Sequence, residues 1–341
     1  MDNLVTLALP SKGAIAEPTI TFLRESGLRI HKPNPRQYIG TMPLLPEIQI
    51  LFQRVKDVAY KVADGTAHIG ITGLDVVYEH PDPNTIIIHE NLGYGHCKLL
   101  VAVPETWIDV ESIQDIVDIA LDFREYKQRN IRIATTYTNL AREYLHKCGI
   151  HHFTLVKADG AIEAAPTLGY ADAVIDLTQT GTTLRENNLK PIDDSVIVSS
   201  QACLIGNKLA LEQNPNILDT VRLLLEYVDA SVAGKQYLQV MANIKGNNEE
   251  DVAKKAMLNA TTYGLQGPTV APIFGTSSDE EANSWFTITI FIQSKNLMTA
   301  VDHLRSIGGK QIVAVPAHYV FHETSPTYTR LLEQLSIQNS S

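Results

Sequence analysis

The chain has 341 residues, too many for one compact core, so two or three domains are expected. Hydrophobic residues make up 44% and charged residues 19%, a composition that argues against disorder. The formal net charge of -10 argues against nucleic acid as a partner, because duplex binding needs clustered Lys and Arg. Small phosphorylated ligands remain open, since a local set of backbone N–H groups can hold them.

The chain opens with Met1-Asp2-Asn3 and passes directly into an apolar run. It shows no secretory pattern and no apolar stretch near the ~20 residues that span a bilayer. A cytoplasmic protein without a membrane partner is expected. Val5 to Leu9 reads as a strand, Pro10 to Gly13 as a turn and Ala14 to Glu25 as a helix closed by Gly27. His31 to Pro46 is polar and proline-bearing. Ile48 to Phe52 reads as a strand, and Asp57 as the cap of a helix through Val62. Strands follow at His68–Thr72, Thr85–His89 and Lys98–Val103.

A second series begins after Pro104. Helices are expected near Val110–Ala120, Asn139–Lys147, Ala161–Leu168 and Thr182–Glu186. Strands are expected at Ile131–Ala134, Phe153–Val156, Ala171–Leu177, Val196–Val198 and Ala202–Ile205. This alternation predicts two α/β lobes with parallel or mixed sheets and a ligand cleft between them. Leu218, Val221, Leu224, Leu225 and Val228 recur at helical spacing, which predicts a long helix from Pro215 to about Met241. The last hundred residues change rhythm. Strands at Gln239–Ile244, Thr269–Phe274, Trp285–Ile292 and Gln311–Pro316 alternate with helices at Glu249–Asn259 and Asn296–Ile307, the ferredoxin-like βαββαβ order. The tail after Pro326 is expected to fray.

The most informative stretch runs from Asp159 to Leu184. A buried strand ends in Asp176, a small-residue loop covers Thr178, Gln179, Thr180, Gly181, Thr182 and Thr183, and a helix follows. Backbone N–H groups, threonine hydroxyls and a helix N-terminus then converge, which suits a phosphate. GxxxxGK[ST] is absent, so the loop is not a nucleoside-triphosphate loop of that type. Glu163 and Asp176 are poor phosphate ligands. They can accept hydrogen bonds from ribose hydroxyls or help hold magnesium. A phosphorylated sugar satisfies both halves. Each residue also has a plainer reading: a turn residue for Asp176, a first-turn charge for Glu163, N-caps for Thr182 and Thr183. Lys12, Arg54 and Lys98 could be solvated surface cations. The eleven histidines show no ligand spacing for a structural metal. Three cysteines, Cys97, Cys148 and Cys203, form no CxxC and read as reduced, packed thiols.

The Asp159–Leu184 stretch resembles the phosphoribosyl pyrophosphate loop of the ATP phosphoribosyltransferase family. Asp64-Gly65 with His68 through Asp75, Gly95 through Leu99, Arg132 through Tyr137, and Gly267 through Pro272 resemble further family segments, in the family's order. The resemblance implies a two-lobed catalytic part like that of periplasmic binding proteins and a C-terminal regulatory domain. It places lobe I at 1–96 and 190–238, lobe II at 97–189 and the regulatory domain at 239–341. It implies the first step of histidine biosynthesis, in which adenine N1 of ATP attacks C1 of phosphoribosyl pyrophosphate. Magnesium would assist and histidine would act as feedback inhibitor on dimers and hexamers. The implied catalytic residues are Glu163 and Asp176, which would also hold magnesium; the loop from Asp176 through Thr183 would bind phosphoribosyl pyrophosphate. Lys12, Gly13, Arg54, Asp75, Lys98 and Tyr137 would bind ATP, and Thr269 and Ala271 the effector. The family reads Lys-Gly-Arg after its first strand; this chain has Lys12-Gly13-Ala14. A catalytically silent regulatory relative is the alternative. A solute-binding protein lacks support from any export signal, and a dinucleotide enzyme lacks its GxGxxG.

Overall fold

The structure is a computed structural model that describes residues 4–34, 36–158, 160–274 and 284–335. The chain divides into two compact units. The larger holds residues 1–24, 28–221 and 331–341; the smaller holds 25–27 and 222–330.

The larger unit begins with β1 (Val5–Pro10), α1 (Ala16–Glu25), β2 (Ile39–Thr41), β3 (Ile48–Gln53), α2 (Val55–Ala63), β4 (Ile69–Gly73), α3 (Leu74–Glu79) and β5 (Thr85–His89). It continues through β6 (Cys97–Pro104), α4 (Ile113–Tyr126), β7 (Ile131–Thr135), α5 (Thr138–Lys147), β8 (Phe153–Lys157), β9 (Ala173–Thr178), α6 (Thr182–Glu186) and β10 (Leu189–Ser200). β11 (Ala202–Asn207) and α7 (Lys208–Gln213) follow, and α8 (Pro215–Gly234) starts in this unit and continues into the smaller one. The first sheet has the order β2-β3-β1-β4-β11-β5 and the second β10-β6-β9-β7-β8. Both are mixed. β1 runs parallel to β3 and β4, and β7 parallel to β8 and β9, while β11 and β6 pair antiparallel to their neighbours. The second sheet keeps the chain through Ser200, beyond the return expected at residue 190.

Both faces of the second sheet are buried, which is why its strands read as continuous apolar runs. Val101, Ile133 and Ile175 face a core shared with α4 and α5. Leu100, Ala134 and Val174 face a second core with Ile162, Ala165 and Leu184. Asp176 follows Val174 by two residues, so alternation puts it on the face that the 160s segment and α6 cover. In the first lobe, α2 presses Val58 and Val62 onto Ala8 and Ile205. Burying each valine stabilises by roughly 1.5–3 kcal/mol.

The smaller unit carries β12 (Tyr237–Lys245), α9 (Glu249–Met257), β13 (Thr269–Pro272), β14 (Trp285–Gln293), α10 (Leu297–Ser306) and β15 (Lys310–Pro316). α11 (Pro326–Gln334) follows. The sheet order β13-β14-β12-β15 is the ferredoxin-like arrangement, with every pairing antiparallel. Val240, Ile244, Phe286, Ile288 and Leu304 form its core.

Several expected elements differ. The long helix ends at Gly234, because Tyr237 onward pairs with β14. Asp57 lies inside the first turn of α2; Arg54 holds the cap position and makes no side-chain cap bond. The helix expected at Ala161–Leu168 contracts to one 3-10 turn, Ile162–Ala164. β2, α3 and α11 stand where no element was expected, and the fraying tail is helical to Gln334. Asp159, which opens the loop stretch, and residues 336–341 lie outside the described residues. No described helix is long and apolar enough to cross a membrane.

Candidate active site

A cleft of about 510 Å³ opens in the larger unit, walled by residues of both sheets. The second lobe contributes Glu163, Asp176 and the run Thr178 through Thr183. The loop is held from within. The Gly181 N–H donates to Thr178 Oγ1 at 2.9 Å, and Thr180 Oγ1 lies 2.9 Å from Thr182 Oγ1. Gly181 has φ of 74°, a left-handed backbone that only glycine adopts without strain, and nothing lies within 4 Å of where its Cβ would be. α6 is five residues long, so the helix dipole adds less than the sequence implied; the loop's own N–H groups and hydroxyls carry the site.

Asp176 is half-buried, and its Oδ1 accepts the Leu177 N–H at 2.8 Å. Burial raises its pKa, the Leu177 bond opposes that, and the charge of Glu163 adds to it; the carboxyl is pushed from 3.8 to about 6. Glu163 follows Gly160 and Ala161, both left-handed, at φ of 92° and 47°. A left-handed alanine is strained, and the turn uses it to start the Ile162–Ala164 segment that carries Glu163.

The first lobe contributes Asp75, at the start of α3 and buried. Its Oδ2 accepts the Tyr137 hydroxyl at 2.6 Å, and its Oδ1 accepts the Ser200 hydroxyl at 2.6 Å. The Asp75 N–H donates back to Ser200 Oγ at 2.9 Å. Burial, then the Asp75 charge, raises the Tyr137 phenol far above its ordinary value, so it stays a proton donor. Cys97 also lines the cleft; burial and then Asp75 push its thiol up to about 11. A Cβ on Gly73 would collide with the Asp75 carboxylate, and one on Gly95 would meet Ile15 Cγ2 at 2.8 Å. Those two glycines leave room for the first lobe's part of the wall.

The cleft thus brings together Asp75, Tyr137, Glu163, Asp176 and the Thr178–Thr183 loop. Lys12, Gly13, Arg54 and Lys98 do not line it. Residues one or two positions away do: Ala14, Val55, Lys56 and Cys97. Strand alternation turns Cys97 inward and leaves Lys98 exposed, and one step along a helix rotates a side chain by about 100°. Lys56 is the one cation among the lining residues, against three carboxylates. Thr269 and Ala271 lie in the other unit, exposed on β13 opposite Thr289 and Thr287. Cys97, Cys148 and Cys203 are unpaired thiols.

Residues 54–228 match the family model described as ATP phosphoribosyltransferase, and residues 234–319 match the one described as HisG, C-terminal domain. The chain belongs to the ATP phosphoribosyltransferase family. It is similar to ATP phosphoribosyltransferase 2, chloroplastic, of Arabidopsis thaliana, at 37% identity over 98% of this chain and 81% of that one. It is 33% identical to the ATP phosphoribosyltransferase of Bradyrhizobium sp. (strain ORS 278), over 97% of this chain and 98% of that one. Among solved structures it resembles the ATP phosphoribosyl transferase (HisG:HisZ) complex from Thermotoga maritima, with a TM-score of 0.51 and 24% identity, over 66% of this chain and 96% of that one. At that identity the likeness shows the fold. Family membership makes the chain a pentosyltransferase.

Proposed function

We propose that the cleft joins ATP to phosphoribosyl pyrophosphate, the first step of histidine biosynthesis, with adenine N1 displacing pyrophosphate from ribose C1. The observation that carries this reading is the meeting of the Thr178–Thr183 loop with Glu163 and Asp176 on one wall of one cleft. The loop takes the 5′-phosphate, and the two carboxylates take the ribose hydroxyls. Adenine N1 brings its own lone pair, so the attack needs no strong base. Positioning and electrostatics lower the barrier to C1–O cleavage. Asp75 and Tyr137 form the floor on which the nucleotide lies.

Among the described residues no group of three or more His, Cys, Asp or Glu side chains could hold a metal by itself. The donor set nevertheless fits magnesium, which is commonly bound by one or two carboxylates plus substrate phosphates. Glu163 and Asp176 would hold it, and the charge of Glu163 raises the cost of charge on Asp176. Once bound, magnesium supplies neutralising charge for pyrophosphate.

In this reading residues 97–189 bind phosphoribosyl pyrophosphate, and the unit carrying β12–β15 senses histidine near Thr269 and Ala271. The chain assembles with copies of itself as dimers and hexamers. Val313 and Val315, exposed on the edge strand β15, support such association. A silent regulatory relative is the second reading. Ala14 favours it, because the cleft has Lys56 as its one lining cation for two polyanionic substrates. Pyrophosphate release from ATP, phosphoribosyl pyrophosphate and magnesium, with and without histidine, decides between them. Turnover suppressed by histidine supports the full reading. Binding of phosphoribosyl pyrophosphate by folded protein without turnover supports the silent relative.

A further inference from the structure

Glu79 is a buried carboxylate that lines no part of the cleft. It ends α3, the helix that begins beside Asp75, and it reaches α5 of the other lobe. Its Oε1 accepts the Asn139 N–H at 2.9 Å, and its Oε2 accepts the Leu140 N–H at 3.0 Å. The Thr138 hydroxyl donates to Oε1 at 3.5 Å. The Asn139 side chain returns the contact, its Nδ2 donating to the Glu79 carbonyl at 3.0 Å. Glu79 therefore satisfies two of the open N–H groups in the first turn of a helix whose cap residue, Tyr137, makes no side-chain cap bond.

The spacing matters. Asp75 and Glu79 stand four residues apart on α3, one turn along the same face. Both bind the start of α5: Asp75 through the Tyr137 hydroxyl, Glu79 through the Asn139 and Leu140 backbone N–H groups. Asp75 and Tyr137 line the cleft, and Glu79 stands one helical turn behind. Two carboxylates on one helix thus fix the height and rotation of the other lobe's helix, and with it the Tyr137 hydroxyl. A water molecule could satisfy an exposed helix start without ordering the two lobes. A carboxylate buried to this degree is retained at a desolvation cost that only its hydrogen bonds offset.

We propose that Glu79 is a positioning residue for the transfer reaction: it clasps the first turn of α5 to α3 and so holds Tyr137 against Asp75 on the floor of the cleft. The catalytic part of this claim rests on the reading of the cleft given above. The clasp itself does not.

The test compares Glu79→Gln, Asn139→Ala, Tyr137→Phe and the double variant Glu79→Gln/Tyr137→Phe. Glutamine keeps the size of the side chain but turns an amide N–H toward one of the two donors. The expected result is a fall in kcat of about tenfold to a hundredfold, the cost of a misplaced group, with a smaller change in KM for phosphoribosyl pyrophosphate. Asn139→Ala gives a smaller loss of the same kind. In the Tyr137→Phe background, Glu79→Gln costs less than it does alone, because the group it positions is gone. Equal losses in the two backgrounds, or full activity of Glu79→Gln, overturn the proposal. Hydrogen exchange at the Asn139 and Leu140 amides, measured without substrates, tests the clasp independently. Faster exchange in Glu79→Gln, and not in Tyr137→Phe, supports it; unchanged exchange overturns it even if the wild-type chain proves inactive. Loss of wild-type turnover with altered exchange would instead strike at the reading of the cleft.

Discussion

The two ends of β9 treat a carboxylate in opposite ways. Asp172, just before the strand, is clamped by two guanidinium groups. Arg129 reaches both of its oxygens at 2.6 and 2.8 Å, Arg132 reaches both at 3.2 and 3.1 Å, and the Arg132 N–H adds a bond at 2.8 Å. Burial alone would raise its pKa, but the two arginines outweigh it and hold the carboxyl well below the usual range. Asp176, near the strand's other end, has one backbone N–H, a carboxylate neighbour and no cation paired with it among the described residues, and its pKa rises to about 6. The first arrangement stabilises the fold. The second costs stability and leaves a carboxylate facing an open cleft, which is the pattern of a group kept for a ligand.

The largest expected effect comes from removing the charge at the open end. Asp176→Asn lowers kcat/KM about a hundredfold to a thousandfold, the range for losing one preorganised electrostatic contact. The same variant raises the unfolding free energy at pH 7 by up to about 3 kcal/mol, since the penalty of an ionised buried carboxyl disappears. Steady-state kinetics and urea unfolding check the two halves. At the clamped end the signs reverse. Asp172→Ala leaves two guanidinium groups without their partner and costs about 1–3 kcal/mol, because those groups are about a third exposed and water screens part of the attraction. Its kcat stays near the wild-type value at a temperature where it is folded.

The pH dependence sharpens the contrast. Between pH 3.8 and about 6 the folded chain keeps a proton on Asp176 that the unfolded chain has released, so this group makes stability fall as pH rises through that window. Asp172, with its lowered pKa, contributes stability above the ordinary carboxylate pKa and loses it as pH falls below. Unfolding of Asp176→Asn, followed from neutral pH to below 3.8, should lack the first effect and keep the second. The smallest effect is at Gly181. Gly181→Ala forces a side chain into the left-handed region and costs about 1 kcal/mol in thermal unfolding, with a raised KM for phosphoribosyl pyrophosphate and little change in KM for ATP.

Much of this was legible in the sequence. A short apolar run ending in an acid, then threonines around a glycine, carried both the Asp176 loop and the family. The βαββαβ rhythm of the last hundred residues carried the sheet of the smaller unit. What the sequence hid depends on contacts between distant segments. Nothing near Asp172 distinguishes it from Asp176, because its arginine partners lie 43 and 40 residues away. α3 is a six-residue helix that starts directly from a strand, too short to show a period, yet it carries both Asp75 and Glu79. The sequence points to Lys98, whereas its neighbour Cys97 lines the wall, because an apolar run buried on both faces does not reveal which residues face a cleft.

The most direct test is pyrophosphate release by Asp176→Asn and Asp172→Asn, measured side by side with ATP, phosphoribosyl pyrophosphate and magnesium at a temperature where both are folded. The account predicts a stable, nearly silent Asp176→Asn and a less stable, active Asp172→Asn. An active Asp176→Asn, or a folded Asp172→Asn without turnover, would contradict it.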